Sequence, residues 1–287
     1  MKYSLIALWL CLLWVPTACY EPQEGCLDAA ATNFDLDADE SCDGCCVYPT
    51  LKVSFTHRWL TPGEVQPLRL SPSWYTDGLG QPFRIKSIRY YWSDLALITA
   101  DGLERRPTDS IEMRIVNTPG DTSLYRLPDN FVLADAASST RRELGAFPYV
   151  TSFTQLNAYF GVIDPANQAV PASLPQRHPL APQLGGQYLD SQQGYLFAKI
   201  ELYRDTVPSD TIPITVNISG PANRFALSLN LPGTLSTTRG FNSLLNIQTD
   251  YASWFSGVNV RGDLTQLQQA IFNNIPGSFS VLSFGRE

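Results

Sequence analysis

Leu51-Lys52-Val53-Ser54-Phe55-Thr56-His57-Arg58-Trp59 decides the fold class. Successive side chains of an extended chain point to opposite faces, so Val53, Phe55, His57 and Trp59 share one side and Lys52, Ser54, Thr56 and Arg58 the other. The same period of two recurs further on. Leu196, Ala198, Ile200 and Leu202 alternate with Phe197, Lys199 and Glu201; Ile212, Ile214, Val216 and Ile218 with Pro213, Thr215 and Asn217; Phe225, Leu227, Leu229 and Leu231 with Ala226, Ser228 and Asn230. Phe83–Thr99, Phe131–Leu133 and Leu156–Ile163 are further strand candidates, separated by turn material such as Asp77-Gly78, Asp101-Gly102 and Pro119-Gly120. Many strands without regular strand–helix alternation predict an all-β fold, an antiparallel β-sandwich. One short C-terminal helix is expected where Leu264, Leu267, Ile271 and Phe272 recur at helical spacing behind the cap residue Asp263. Pro165–Pro182 is too long for a hairpin turn and reads as a long surface loop of the kind that carries binding residues.

Composition narrows the function classes. The 287 residues carry a net charge of −7, with 44% hydrophobic and 16% charged residues, which argues against a disordered chain and against non-specific phosphate binding; no nucleic-acid partner is expected. The length is ample for a core without staples. The two histidines are His57 and His178, so almost every metal or acid–base proposal passes through one of them.

The amino terminus reads as an address. Lys2 precedes an apolar run from Leu5 to Val15, too short to span a bilayer stably. It ends Val15-Pro16-Thr17-Ala18-Cys19, small residues before a cysteine as in a bacterial lipoprotein cleavage site, with Pro16 in place of the usual aliphatic residue. The expected organisation is a lipoprotein signal peptide over 1–18, a lipid anchor on Cys19 with a Cys/Asp-rich segment over 19–50, and a β-sandwich domain over 51–287. An ordinary secretory signal cut nearby is the alternative. The chain is then an exported lipoprotein of the bacterial outer membrane, on the periplasmic side or the cell surface, touching the membrane by its lipid alone. Cys11 leaves with the signal, which leaves Cys26, Cys42, Cys45 and Cys46 in an oxidising compartment, where two disulfides are the default. Of the possible pairings, one joining Cys45 to Cys46 is disfavoured by ring strain. Cys42-x-x-Cys45 also has zinc-ligand spacing, but no second pair or nearby histidine completes such a site.

Residues 25–43 resemble a short cysteine-bounded motif found near the start of many exported bacterial surface proteins, Gly-Cys-x-Asp-x-x-Ala-x-Asn-Phe followed by acidic residues and Cys. Asp35, Asp37, Asp39 and Asp43 offer hard oxygen ligands at calcium-loop spacing, but the turn glycine and a twelfth-position Glu are missing. A solvated acidic hairpin is preferred to a calcium site. For catalysis the inventory is thin: there is no Gly-x-Ser-x-Gly elbow, His-Glu-x-x-His or phosphate-cradling glycine loop. A hydrolase using paired carboxylates therefore ranks third, and no enzymatic activity is expected. Trp92, Trp254, Tyr90, Tyr91 and Tyr195 read as packing residues, although the tyrosines are also of the type that paves a sugar-binding surface. His178, between Arg177 and Pro179, reads as a solvated loop residue or a ligand.

Read in order, Ser54-Phe55-Thr56-His57-Arg58-Trp59, Ile88–Leu97 with Asp101-Gly102, Phe131–Asp135, Phe160–Asp164 with Asn167, Gly194–Glu201 and Tyr251–Gly257 resemble the MbnP-like family over about residues 51–284. The resemblance implies an exported β-sandwich domain, copper binding in characterised members, and a partner haem peroxidase of the MbnH type that oxidises a tryptophan to a kynurenine ligand. His57 and Trp59 supply a His-x-Trp pair on one strand face, and His178 a second nitrogen if its loop folds over that face. An unmodified indole is a poor copper ligand. Many family members carry Trp-x-Trp shortly before the Gly-Tyr strand; here that stretch is Tyr188-Leu189-Asp190-Ser191-Gln192-Gln193. The sequence thus predicts a lipid-anchored binding protein that holds copper, with a metal-free surface interaction or adhesion module for a protein or glycan as the alternative, His57 then being a buried core residue.

Overall fold

A computed structural model describes residues 20–139, 141–204 and 212–287. The signal segment and Cys19 lie outside them. The body contains β1 (Thr50–Thr61), β2 (Pro82–Thr99), β3 (Ser110–Thr118), β4 (Asp121–Pro128), β5 (Phe131–Asp135), β6 (Arg141–Ala146), β7 (Ser152–Phe160), β8 (Gly194–Tyr203), β9 (Ile214–Ser219), β10 (Phe225–Ser236), β11 (Ser243–Asp250), α1 (Tyr251–Trp254), α2 (Leu264–Asn274) and β12 (Phe279–Arg286). One sheet runs β9-β8-β2-β7-β10 with β5 also on β2, and the other runs β6-β1-β11-β12. β3 and β4 form a separate ribbon. All of these pairings are antiparallel except that of β11 with β1. The expected antiparallel sandwich with a short C-terminal helix is therefore the fold. Among the described residues no helix is long and apolar enough to cross a membrane.

The inner faces meet through aromatic rings. Phe55 of β1 lies edge-on to Tyr90 and Trp92 of β2 with centroids 5.8 and 5.3 Å apart, and Phe279 of β12 meets Trp92 at 4.9 Å. Burying Phe55 and Phe279 contributes about 1.5–3 kcal/mol each before entropy is counted. β2 is buried almost continuously because its outer face is covered too. The long loop does the covering: the Tyr91 hydroxyl donates to the Pro179 carbonyl (3.0 Å) and that of Tyr195 to Leu180 (2.6 Å). Asn167 ties the start of the loop to β8 by accepting from the Tyr195 amide at 3.1 Å. This is why both members of the Tyr90-Tyr91 pair are buried although they point to opposite faces. The loop read as exposed chain is in large part the third layer.

Within β2 the pairing with β7 slips between Ala96↔Asn157 and Ser93↔Tyr159, and Asp94 at the slip has a positive φ of 54°. Arg106 grips both carboxylate oxygens of Asp94, at 2.9 and 3.2 Å, which holds the bulge. α2 begins as expected, with the Asp263 carboxylate accepting from the amides of Thr265 (2.9 Å) and Gln266 (3.1 Å), and buries Leu267 and Ile271. Ile212 is exposed and precedes β9 instead of joining it. The amino-terminal segment is stapled by Cys26–Cys46 and Cys42–Cys45, so its cysteines are disulfide-bonded and not a zinc site.

Candidate functional site

The site begins where β1 and β11 run side by side. Their parallel register sets Thr249 beside His57 and Asp250 beside Arg58, so the chain leaves β11 level with the histidine. Asp250 then caps α1: its Oδ1 accepts from the Ala252 amide and from Leu60 of β1, both at 3.0 Å. That double bond to strand and helix fixes Tyr251 against His57, with the rings stacked at 5.7 Å.

Both nitrogens of His57 are engaged. Nε2 lies 3.1 Å from the Ser138 carbonyl, which can only accept, so Nε2 carries the proton; Nδ1 then accepts from the Tyr251 hydroxyl at 2.7 Å. Nearby, the Tyr90 hydroxyl meets Thr249 Oγ1 at 2.7 Å, giving a buried run of hydroxyls behind the imidazole. Burial lowers the His57 pKa against the opposing pull of the Ser138 carbonyl and the Asp135 carboxylate, so the ring is neutral at pH 7. Burial likewise pushes the Tyr251 phenol well above its ordinary value.

Trp59 lies on the same side of β1 as His57, as the alternation predicts, but in a different setting. It is 8% exposed and packed among Tyr75 (4.0 Å), Phe255 (5.9 Å) and Phe83 (6.2 Å). Phe255 follows Tyr251 by four residues, so the short helical turn walls both members of the pair.

His178 does not join them as a free donor. It is buried, its Nδ1 accepts from the Leu180 amide at 3.1 Å, and its Nε2 donates to Asp129 Oδ1 at 3.0 Å, an oxygen also held by Arg142 at 3.0 Å. Burial works against ionisation of Asp129, yet His178 and Arg142 outweigh it and hold the carboxyl below its ordinary value. The solvated-loop expectation is thus corrected: the Pro-rich loop turns inward here, and its buried His178 donates to the half-buried Asp129 carboxylate.

Neither histidine directly lines the nearby cleft of about 410 Å³, which is walled by Ser138, Arg141, Arg142, Asp135, Arg177 and Gln183. His57 meets the backbone carbonyl of Ser138, and His178 is linked to Arg142 through the Asp129 carboxylate they share. Among the described residues, the one set of three His, Cys, Asp or Glu side chains with ligand atoms within 4.8 Å of one another is Cys42, Cys45 and Cys46, all of which are in disulfides. Asp35, Asp37, Asp39 and Asp43 do not converge in that sense; Asp35 accepts from the Asp37 amide at 2.9 Å, as a turn cap does, and Asp39 accepts from the Gln23 amide at 3.1 Å across the segment. Tyr188 sits edge-on to Tyr195 at 5.0 Å. Sequence reasoning did not single out Tyr251, Ser138, Asp129 or Arg142 as parts of the site. Tyr251 lay within a motif already noted, but its meeting with a residue 194 positions away depends on the parallel β1–β11 register.

Two facing sheets, antiparallel but for the β11–β1 pair, a loop as third layer and a neutral histidine beside an arginine-walled cleft define an all-β sandwich domain with a recessed polar site. The chain belongs to the MbnP family, whose model matches residues 48–275. The solved structure of MbnP from Methylosinus trichosporium is similar, with a TM-score of 0.47 and 13% identity over 82% of this chain and 99% of that one. No curated protein matches the sequence.

Proposed function

We propose that this chain is an exported, lipid-anchored, non-enzymatic binding protein of the outer cell envelope, and that His57 is its ligand-binding histidine. The observation that carries the reading is the His57 imidazole itself: neutral, hydrogen-bonded to Tyr251 through Nδ1 and, through Nε2, to the carbonyl of Ser138, a residue that lines the cleft. Copper is the first ligand to consider, because the family resemblance brings it. His57 fits that role through Nε2 once the ring takes its other tautomer, with Nδ1–H donated to the Tyr251 oxygen, the arrangement that orients most metal-bound imidazoles. Copper would supply a Lewis-acidic centre for an imidazole nitrogen. His178 does not fit, since both of its nitrogens are hydrogen-bonded within the protein. Trp59 fits only after oxidation by a haem peroxidase of the MbnH type, because an indole lacks the donor atom.

The test is coexpression with such a peroxidase, followed by dialysis, copper analysis and peptide mass spectrometry. Retained copper together with a mass change on the Trp59 peptide is the expected result; unmodified Trp59 and no copper removes the metal claim. Loss of lipid labelling on Cys19→Ser is expected for the anchor. The engagement of all four imidazole nitrogens within the protein favours one second reading, a metal-free surface interaction module for a protein or glycan. Under it, His57→Ala lowers stability and changes no metal content.

A further inference from the structure

The two disulfides of the amino-terminal segment are not independent staples. Cys42–Cys45 closes a ring over a sequence separation of 3 with neither cysteine buried, whereas Cys26 of the Cys26–Cys46 bond is 1% exposed. The Sγ atoms of Cys42, Cys45 and Cys46 all lie within 4.8 Å of one another, so the outer bond adjoins the inner one at Cys46.

Backbone contacts hold the three sulfurs together independently of the outer bond. The Cys42 amide donates to the Gly25 carbonyl at 3.0 Å, and Glu24-Gly25 pairs with Glu40-Ser41, which sets Cys42 beside the start of the inner bond. On the other side, Asn33 donates to the Cys45 carbonyl at 2.9 Å and accepts from the Val47 amide at 2.8 Å, bracketing Cys46. Breaking Cys42–Cys45 therefore leaves the Cys42 sulfur close to Cys46. A thiolate held at that range outcompetes one arriving from solution.

We propose that Cys42–Cys45 is a thiol–disulfide exchange site for an external dithiol, and that Cys42 passes the exchange on to Cys26–Cys46. In the first step a thiolate of the dithiol attacks Cys45 Sγ; the Cys42–Cys45 bond breaks and Cys42 leaves as a thiolate. The second thiol of the reagent then displaces Cys45, which takes up a proton. The dithiol departs as its own disulfide, having given two electrons to the protein. The Cys42 thiolate next attacks Cys46 Sγ: a Cys42–Cys46 bond forms, Cys26–Cys46 breaks, and Cys26 leaves as a thiolate that takes a proton from water, with no further electrons exchanged. Attack at Cys42 instead frees Cys45, whose partner would have to be its neighbour Cys46, the pairing that ring strain disfavours. The relay opens the closure spanning 20 residues that lies ahead of β1. It is separate from His57 and does not depend on copper.

The experiment uses the exported chain, purified without reductant and dilute enough to suppress exchange between molecules, with dithiothreitol as the probe dithiol. After an acid quench the unfolded chain is labelled with N-ethylmaleimide while still acidic and mapped by peptide mass. In the wild type, one equivalent of dithiothreitol is expected to put label on Cys45 together with either Cys42 or Cys26, and to yield peptides joined through Cys42–Cys46. Cys45→Ser, which leaves Cys42 a free thiol, is expected to carry label on Cys26 in at least about one molecule in ten, a gap of no more than about 1.4 kcal/mol between the two pairings. Cys42→Ser, which frees Cys45 instead, is expected to carry label on Cys45 alone. A wild type without Cys42–Cys46 peptides, or label confined to Cys42 in Cys45→Ser, overturns the proposal, because the disulfides are then separate staples. Equal Cys26 labelling in the two variants overturns it as well, since any free thiol in the segment then scrambles the pairing.

Discussion

Tyr251→Phe is the perturbation that bears most closely on the site, because it deletes one oxygen and leaves the stacked ring in place. The lost bond, 2.7 Å from hydroxyl to His57 Nδ1, is worth about 1 kcal/mol net. Nδ1 is then a partly buried acceptor without a donor, which adds about 1–2 kcal/mol on the same scale. The sum is a destabilisation of roughly 2–3 kcal/mol, or about 4–12 °C in Tm for a domain of this size. Urea unfolding is the assay, with the midpoint expected to fall at an unchanged slope. Tyr125→Phe is the control: Tyr125 is exposed on the β3–β4 ribbon with a weak contact to Asn117 at 3.4 Å, so its change should stay within about 0.5 kcal/mol. A double-mutant cycle of Tyr251→Phe with His57→Phe should show that the two changes are not additive. If Tyr251→Phe matches the control, or the cycle is additive, the reasoning that a hydroxyl orients His57 is refuted.

Other expectations follow from the same contacts. Asp129→Ala leaves Arg142 and the buried His178 without their shared acceptor and should cost about 2–4 kcal/mol, with faster proteolysis of the 163–187 loop as its signature. The folded-state pKa of His57 is lowered below 6.5, so its contribution to stability is complete above that value and is lost as the pH falls from 6.5 through the folded pKa; urea midpoints across pH 7 to 5 should fall less steeply in His57→Gln. Replacing Cys26 and Cys46 together by Ser opens a closure spanning 20 residues and should make the 20–47 segment protease-sensitive, with little change in the melting of the sandwich.

The strands with clean alternation were legible because burial on one face leaves a period of two, and this is how β1, β8, β9 and β10 stood out. The helix was legible because Asp263 and the spacing of Leu267 and Ile271 are local signals. β11 was not, since nothing in Ser243–Asp250 announces a parallel partner near residue 51. The loop was misread for a related reason: Pro-rich chain looks solvated until the outer faces of Tyr91 and Tyr195 are seen to need a cover. At the site, sequence could place His57 and Trp59 on one side of a strand, but it could not reveal that His178 is committed to Asp129 or that Trp59 sits in an aromatic box.

The most direct test of the central claim is the copper content of dialysed protein, measured by mass spectrometry for the wild type, His57→Gln and His178→Gln after coexpression with the peroxidase. Copper is expected in the wild type, lost in His57→Gln and kept in whatever fraction of His178→Gln remains folded. Copper that persists without His57, or none in the wild type, contradicts the assignment of His57 as the ligand.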